Sequence, residues 1–143
     1  MIIGLIGENC TGKSTIATEL AKMTGATIYT GRDYFRLAKS EAEAKDKFVQ
    51  LLNSGEEIIY VISDKKQLSL LPQQALRILI SADLETIKER FTQRMNGNLP
   101  TPVANMLERN HGMFNGFEYD LRIENVSDDV VDVCGKIISL NKE

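Results

Sequence analysis

The segment from Gly7 to Ser14 has the residue types and the spacing of a phosphate-binding loop. It matches G-x-x-x-x-G-K-S/T over all eight positions. Glycines let such a backbone wrap around an anion with its N–H groups pointing inward, and the helix that follows directs the positive end of its dipole at the same point. We expect an exposed Lys13 to reach the β- and γ-phosphates, and the Ser14 hydroxyl to ligate Mg²⁺. The sequence therefore predicts binding of ATP or GTP with Mg²⁺, and the predicted nucleotide-binding residues are Gly7, Glu8, Asn9, Cys10, Thr11, Gly12, Lys13, Ser14 and Thr15.

Three classes of protein share this loop, and other motifs separate them. A regulatory GTPase carries an N-K-x-D motif, which this chain lacks, and a D-x-x-G switch, but no Gly stands three residues after Asp33, Asp64, Asp83 or Asp120. A mechanical ATPase usually ends its third strand in two adjacent acids, whereas here Ser63 and a single acid, Asp64, follow the apolar run. These differences favour a small kinase. The alternative of another class is a non-catalytic, nucleotide-binding regulatory protein.

Three arginines are candidates for contacts with the transferred phosphoryl group. Arg90 and Arg94 lie one turn apart on a predicted helix, and Arg109 lies on the next helix, beyond the loop 96–102. Phosphoryl transfer needs cations around the equatorial oxygens and a segment that closes over the site. We therefore predict a lid at about residues 90–112. The alternative is that these arginines are solvated and pair with acids on the same two helices, namely Glu85, Glu89 or Glu108.

The loop that follows the second predicted strand is the candidate acceptor site. Arg32 and Arg36 flank Asp33 and Tyr34, a set that suits an anionic, ring-bearing acceptor because arginine binds phosphate or carboxylate and tyrosine stacks. An ordinary polar connection is the equally weighted alternative. Asp64 is predicted either to bind the metal through water, to accept a proton from the acceptor, or to cap a helix.

The remaining reactive side chains suggest less chemistry. The sequence favours Cys10 as an exposed, oxidisable thiol at a variable position of the loop, and Cys134 as a core residue on the last helix. His111, the single histidine, is interpreted as a surface or hinge residue.

Short apolar runs alternate with helical patterns along the chain and must position these residues. The predicted strands are Met1–Ile6, Ala26–Thr30, Glu57–Ile62, Arg77–Ser81 and Tyr119–Glu124. Predicted helices cover Lys13–Thr24, Lys65–Leu71 and Asp83–Met95, and three more begin at the caps Ser40, Thr101 and Ser127. Such alternation predicts a parallel sheet with helices on both faces, and ligands bind at the carboxyl ends of its strands.

The composition is that of one ordinary globular domain covering residues 1–143. Of its 143 residues, 43% are hydrophobic and 26% charged. The formal net charge of −3 gives no basic footprint for nucleic acid or a membrane surface. The two cysteines make no disulfide framework or metal-binding pattern. We expect a cytoplasmic monomer or homodimer with no signal peptide, whose partners are a nucleotide triphosphate and a small-molecule acceptor.

The chain resembles the P-loop nucleoside monophosphate kinases and their small-molecule kinase relatives. Its loop GENCTGKST is similar to those of cytidylate, adenylate and shikimate kinases, and its C-terminal half is similar to that of guanylate kinase. The guanylate kinase counterparts are Glu85 to Arg94, Gly97, Arg109, Tyr119, Asp120 and Asn125, together with the segment Gly31 to Phe35. The phosphate clamp T-R-x-P-R of that family has no counterpart here unless Arg32 and Arg36 replace it.

This resemblance implies a three-layer α/β P-loop kinase fold whose five-stranded parallel sheet has the order 2-3-1-4-5. It implies Mg²⁺-dependent transfer of the ATP γ-phosphate to a small anionic acceptor, with a nucleoside monophosphate as the leading candidate. A metabolite kinase of the shikimate or gluconate type is the alternative. The catalytic residues would be Lys13, Arg90, Arg94 and Arg109.

Overall fold

The sheet consists of five parallel strands: β1 (Ile2–Ile6), β2 (Thr27–Thr30), β3 (Ile58–Ile62), β4 (Leu76–Ser81) and β5 (Leu121–Glu124). The structure is a computed structural model that describes residues 1–8, 10–31, 33, 40–124 and 130–141. The spatial order of the strands is β2-β3-β1-β4-β5, as predicted. In the central strand β1, Leu5 is in register with Val61 on one side and with Ile78 on the other.

In the part of the chain that the structure describes, the helices are α1 (Lys13–Thr24), α2 (Glu41–Leu52), α3 (Lys65–Leu68), α4 (Leu84–Arg94), α5 (Thr101–Asn110) and α6 (Val130–Asn141). The predicted cap Ser40 works as expected, because its hydroxyl accepts a hydrogen bond from the Glu43 amide at 3.3 Å. Asp83, predicted as the first residue of a helix, instead precedes α4 and caps it by accepting a hydrogen bond from the Thr86 amide at 2.7 Å. None of the described helices combines the length and the apolar composition needed to cross a bilayer.

Both faces of the sheet are covered, because successive side chains of β1 point to opposite sides. Ile2 and Ile6 pack in one cluster with α2 and α3, where Phe48 and Tyr60 are fully buried. On the other face, Ile3 and Leu5 pack against α1 and α6, a cluster that also holds Ile16, Leu20, Cys134 and Ile137. Cys134 is therefore a core residue, as the helical pattern predicted. The result is a helix–sheet–helix sandwich with a carboxyl edge left for a ligand.

Some predicted boundaries are wrong, for local reasons. β5 begins at Leu121 instead of Tyr119, because the Tyr119 hydroxyl donates to the Phe114 carbonyl at 2.5 Å and Asp120 bonds the backbone of Arg77 at 2.8 Å. Thr101 is the first residue of α5 and not its cap. The helix after β3 ends at Leu68, three residues early. The predicted cap Ser127 lies outside the described residues.

Candidate functional site

The phosphate-binding loop lies at the carboxyl edge of the sheet, directly after β1. Beside it is a cavity of about 590 Å³, where residues from the ends of β2 and β3 face the loop. Its lining residues are Cys10, Gly12, Lys13, Ser14, Thr15, Thr30, Gly31, Val61, Ser63, Asp64, Gln67 and Arg94. The structure thus brings the predicted nucleotide loop together with the segment predicted to hold an acceptor, and with one of the three candidate arginines.

The loop leads into α1 in a way that exposes the positive end of this helix. Gly12 precedes the helix with φ of 103°, a left-handed conformation that glycine adopts without steric cost, and no side chain caps the first turn. The Thr11 hydroxyl turns inward and donates to the Glu8 carbonyl at 2.9 Å. The helix dipole and the free first-turn amides consequently favour an anion at this point. Ser14 and Thr15 are both exposed at the start of the helix. Asn9 lies outside the described residues.

Lys13 is buried rather than exposed, which corrects the expectation from sequence. Only 6% of the residue is accessible, and its ammonium group donates to the carbonyls of Gly7 and Glu8 at 2.6 and 2.5 Å. These backbone oxygens replace the phosphate oxygens that the loop is expected to bind. Burial lowers the pKa of Lys13 from 10.5 to about 8, because loss of solvent disfavours the charged form.

This lowered pKa predicts that nucleotide affinity falls as the pH rises above about 8. A bound triphosphate favours the ammonium form, so binding must take up a proton wherever free Lys13 has lost one. Below pH 8 the Lys13 ammonium is charged both with and without nucleotide, so Lys13 causes no change of nucleotide affinity with pH there. Above pH 8 the affinity is expected to fall by up to about tenfold per pH unit. Titration calorimetry with Mg·ATP across this window measures the slope, which Lys13→Met should remove; a flat wild-type profile would contradict the assignment.

The three candidate arginines occupy different positions. Arg94, the last residue of α4, is exposed and lines the cavity. Arg90 donates from its guanidinium to the Cys10 carbonyl at 3.0 Å, and so supports the shape of the phosphate loop. Arg109 is exposed on α5 and is not one of the lining residues. Of the acids considered as alternative partners, Glu108 forms an ion pair at 2.5 Å with Lys88.

The proposed lid has a small apolar core that includes the phosphate loop itself. Cys10 packs with Ala82, Ile87 and Leu107, from the end of β4, from α4 and from α5. It is 5% exposed, so the expectation of an accessible thiol is wrong. Cys10 has φ of 64°, a conformation that places its side chain under the two helices while its carbonyl meets Arg90. The neighbouring hydrophobic residues explain why this position suits a small apolar side chain.

Glu8 links the phosphate loop to the far end of the lid, a role that the sequence did not indicate. Its carboxylate accepts a hydrogen bond from the Gly112 amide at 3.0 Å and lies 3.3 Å from Nδ1 of His111. Glu8 is only 9% exposed, and these two contacts offset part of the free energy that its carboxylate loses by leaving water. The sequence does not indicate this contact, because Glu8 occupies a variable position of the motif and its partners lie more than a hundred positions away. The predicted lid segment therefore contacts the phosphate loop near both of its own ends, through the Arg90 guanidinium and through the Gly112 amide.

Removal of this link is expected to loosen the end of the lid. In Glu8→Ala, amide hydrogen exchange of a peptide covering residues 107–115 should accelerate about tenfold or more, since a hydrogen bond to a charged group contributes about 1.5–3 kcal/mol. Exchange followed by mass spectrometry measures the change. Glu85→Ala, which removes an exposed acid from α4, is the matched control and should have no effect. Equal exchange in wild type and Glu8→Ala would show that the contact does not hold the lid.

The predicted acceptor loop is described only in part. The Asp33 carboxylate accepts hydrogen bonds from the amide and the hydroxyl of Thr30, at 2.8 and 3.1 Å, and so fixes the end of β2. Arg32, Tyr34 and Arg36 lie outside the described residues.

Asp64 caps a helix, which is one of the three roles predicted for it, and its roles toward the metal and the acceptor stay predictions. Its carboxylate caps α3 by accepting from the Lys66 amide at 3.0 Å, and it also lines the cavity. Together with the exposed Ser14 hydroxyl it offers oxygen ligands of the kind that Mg²⁺ shares with substrate phosphates. The site is therefore chemically suited to this ion. The described residues contain no cluster of three or more His, Cys, Asp or Glu side chains that would hold a metal alone.

A second cavity, of about 660 Å³, lies at the opposite edge of the sheet near Leu76 and Phe117. The cationic side chain that lines this cavity, Arg77, already forms hydrogen bonds within the protein. The Arg77 guanidinium donates to backbone carbonyls between 3.2 and 3.4 Å away, and these belong to Leu71, Pro72, Gln73 and Ala75. The charge of Arg77 thus stabilises the turn before β4, and we place the functional site at the phosphate loop.

Comparison with known proteins identifies relatives in structure but not in sequence. No protein-family model and no curated protein sequence matches the chain. The fold matches shikimate kinase from Acinetobacter baumannii in complex with shikimate, with a TM-score of 0.66, 17% identity, and 99% and 92% of the two chains covered. A gluconokinase from Sinorhizobium meliloti matches with a TM-score of 0.64 and 12% identity, and the match covers 96% of this chain and 89% of the gluconokinase. YorR protein from Bacillus subtilis, in complex with phosphorylated GDP, matches with a TM-score of 0.68 and 20% identity, and the match covers 99% of this chain and 96% of YorR.

These likenesses cover nearly the whole chain at identities that show the fold alone. They confirm the P-loop kinase fold that the sequence predicted, and they do not single out the guanylate kinase branch. The chain therefore has the α/β fold of the P-loop kinases, with its sheet in the order 2-3-1-4-5.

Proposed function

We propose that the protein is a small-molecule kinase that transfers the γ-phosphoryl group of a nucleotide triphosphate to a hydroxyl group of a small metabolite. The observation that carries this proposal is one cavity lined both by the phosphate loop, with Lys13, and by the carboxyl ends of β2 and β3. Phosphoryl transfer requires donor and acceptor to lie side by side, and a single cavity with both linings allows this. The shikimate and gluconate kinases among its structural neighbours support a metabolite as acceptor.

The donor side acts by electrostatic stabilisation and positioning. The amides of the loop and of the first turn of α1 bind the phosphates, and Lys13 exchanges the Gly7 and Glu8 carbonyls for phosphate oxygens. Arg94, at the cavity wall, adds a second cation where negative charge spreads over the equatorial oxygens. Ser14 and Asp64 would hold Mg²⁺, which when bound neutralises phosphate charge.

The lid completes the site by excluding water. Arg90 keeps the loop in shape through the Cys10 carbonyl, and Arg109 lies on the lid helix that would approach the nucleotide on closure. Gly97 and Gly112, which flank α5, have positive φ of 89° and 79° and are the hinges on this proposal. On this proposal Arg90 is a positioning residue, whereas Arg109 acts only in the closed form.

A nucleoside monophosphate is the second candidate acceptor. Its support is the guanylate kinase resemblance of the C-terminal half and the nucleotide complex of YorR protein. The acceptor arginines that this reading requires, Arg32 and Arg36, belong to the incompletely described loop. The two acceptors differ in charge and size, so a direct assay separates them.

An acceptor panel tests the proposal. The protein is incubated with ATP and Mg²⁺ plus one compound at a time from a set of hydroxy acids, polyols, sugars and nucleoside monophosphates, and ADP release is followed, with Lys13→Met as the inactive blank. Turnover with a hydroxylated metabolite supports the proposal, whereas turnover confined to monophosphates establishes the second candidate. ATP binding by calorimetry without ADP formation for any acceptor would contradict both and favour a nucleotide-binding regulatory protein.

A further inference from the structure

Gln67 is a buried polar residue whose side chain forms no hydrogen bond with the residues that the structure describes. It lies on α3, one turn after β3, and lines the cavity beside the phosphate loop. The residue is only 6% exposed. Glutamine is rarely buried to this extent without hydrogen bonds, because losing water at both ends of the amide costs free energy. Its side chain should therefore have partners.

No such partner is found among the residues that the structure describes. The backbone of Gln67 is paired within the turn, as its amide donates to the Asp64 carbonyl at 3.1 Å. The side-chain amide instead lies flat against Gly31, where a Cβ atom would stand 2.6 Å from Nε2 and 2.8 Å from Oε1. Gly31 is thus the residue that leaves room for the amide at the cavity wall. Both residues line the cavity beside the phosphate loop.

We propose that Gln67 determines acceptor specificity by hydrogen bonding through its side-chain amide, and that the acceptor is a small molecule with several neighbouring hydroxyl groups. This inference rests on the proposed function. An amide presents a donor and an acceptor side by side, which matches two adjacent hydroxyls. The other polar groups around it are the hydroxyls of Thr30 and Ser63 and the carboxylate of Asp64, all of which bind hydroxyl groups. The described cations of the cavity, Lys13 and Arg94, serve the donor phosphates on the proposed function.

The alternative is that Gln67 only fills space at the start of α3. The two explanations predict opposite effects of an apolar replacement of similar shape. If the amide serves the acceptor, Gln67→Met leaves thermal stability unchanged, because the amide has no partner among the described residues and reaches the open cavity, while acceptor binding is lost. If the amide is structural, the same change lowers stability and leaves acceptor binding alone. Gln50→Met, on the exposed face of α2, is the matched control.

The direct test observes the amide without relying on turnover. Protein labelled with ¹⁵N at glutamine side chains is titrated with gluconate, shikimate and myo-inositol, and separately with dAMP and dGMP, whose deoxyribose has no adjacent hydroxyls; Gln67→Met assigns the signal. We expect at least one hydroxylated compound to shift the Gln67 NH₂ resonance, and Gln67→Met to weaken its binding about tenfold, with ATP affinity unchanged. Gly31→Ala, whose methyl group displaces the amide, should reproduce the loss and covers the case in which Gln67→Met does not fold.

The outcomes separate this inference from the proposed function. A shifted Gln67 signal with no ADP formed from any compound of the acceptor panel refutes the kinase proposal and keeps Gln67 as a ligand-binding residue. Turnover of an acceptor whose affinity is the same in wild type and Gln67→Met overturns the role of Gln67. A shift with dAMP or dGMP alone overturns the hydroxylated class, and no shift with any of the five compounds overturns the inference altogether.

Discussion

Lys13→Met is expected to lower kcat/KM for phosphoryl transfer by about 10³-fold or more, because it removes the one cation of the loop that can meet the β- and γ-phosphates. The protein should stay folded. Methionine has nearly the same length, and its replacement of a buried ammonium, whose pKa burial has already lowered to about 8, removes a desolvation cost. Steady-state rates with the acceptor found in the panel and a thermal melt of the same preparation measure the two effects.

The control is a lysine of the same helix. Lys22 is exposed in the last turn of α1, so Lys22→Met changes the net charge equally without touching the loop. Its activity and melting temperature should equal those of the wild type. Full activity in Lys13→Met would end the assignment of this loop as the phosphoryl donor site. A melting temperature lowered by many degrees would instead show that the ammonium, with its two carbonyl partners, is part of the structure.

Arg94→Ala is expected to lower kcat by about 10²–10³-fold while KM for ATP changes little. An arginine that meets the migrating phosphoryl group stabilises charge that develops mainly in the transition state, and such groups contribute large factors to the rate. Arg94 is the described arginine that both lines the cavity and remains exposed there. Arg94→Lys keeps the charge but loses the planar fork, and it should recover only part of the rate.

Arg109→Ala distinguishes the conformation described here from a closed one. If Arg94 acts alone, Arg109→Ala should have less than a threefold effect on kcat, because Arg109 lies outside the cavity wall. A loss as large as that of Arg94→Ala would mean that closure of the lid brings Arg109 to the phosphates. If Arg94→Ala raises KM with kcat unchanged, the residue contributes ground-state binding only, and its catalytic role is wrong.

Local sequence patterns predicted the architecture because the relevant forces act over short stretches of chain. The continuous apolar run of β1, the helical spacing in α1 and α6, and the cap Ser40 each depend on neighbours within a turn or a strand. The order of the strands followed from the resemblance of the loop and its context to a known fold. The start of β5 was predicted two residues early, because the pattern does not show that the Tyr119 hydroxyl bonds the Phe114 carbonyl or that Asp120 bonds the backbone of Arg77 in β4.

The phosphate loop is the part of the site that the sequence by itself predicted, since a contiguous run of residues builds it and the motif assigns the binding to its backbone amides. Tertiary structure alone decided which residues surround the side chains of this loop. Burial of Lys13 against two carbonyls, burial of Cys10 under the lid and the contact of Glu8 with Gly112 all depend on which segments meet in space. The same holds for Gln67 and Gly31, which are far apart in sequence and unremarkable within it. Side chains from β2, α3 and α4 converge on one cavity only because parallel strands bring their carboxyl ends to a single edge, and that convergence is a property of the folded sheet.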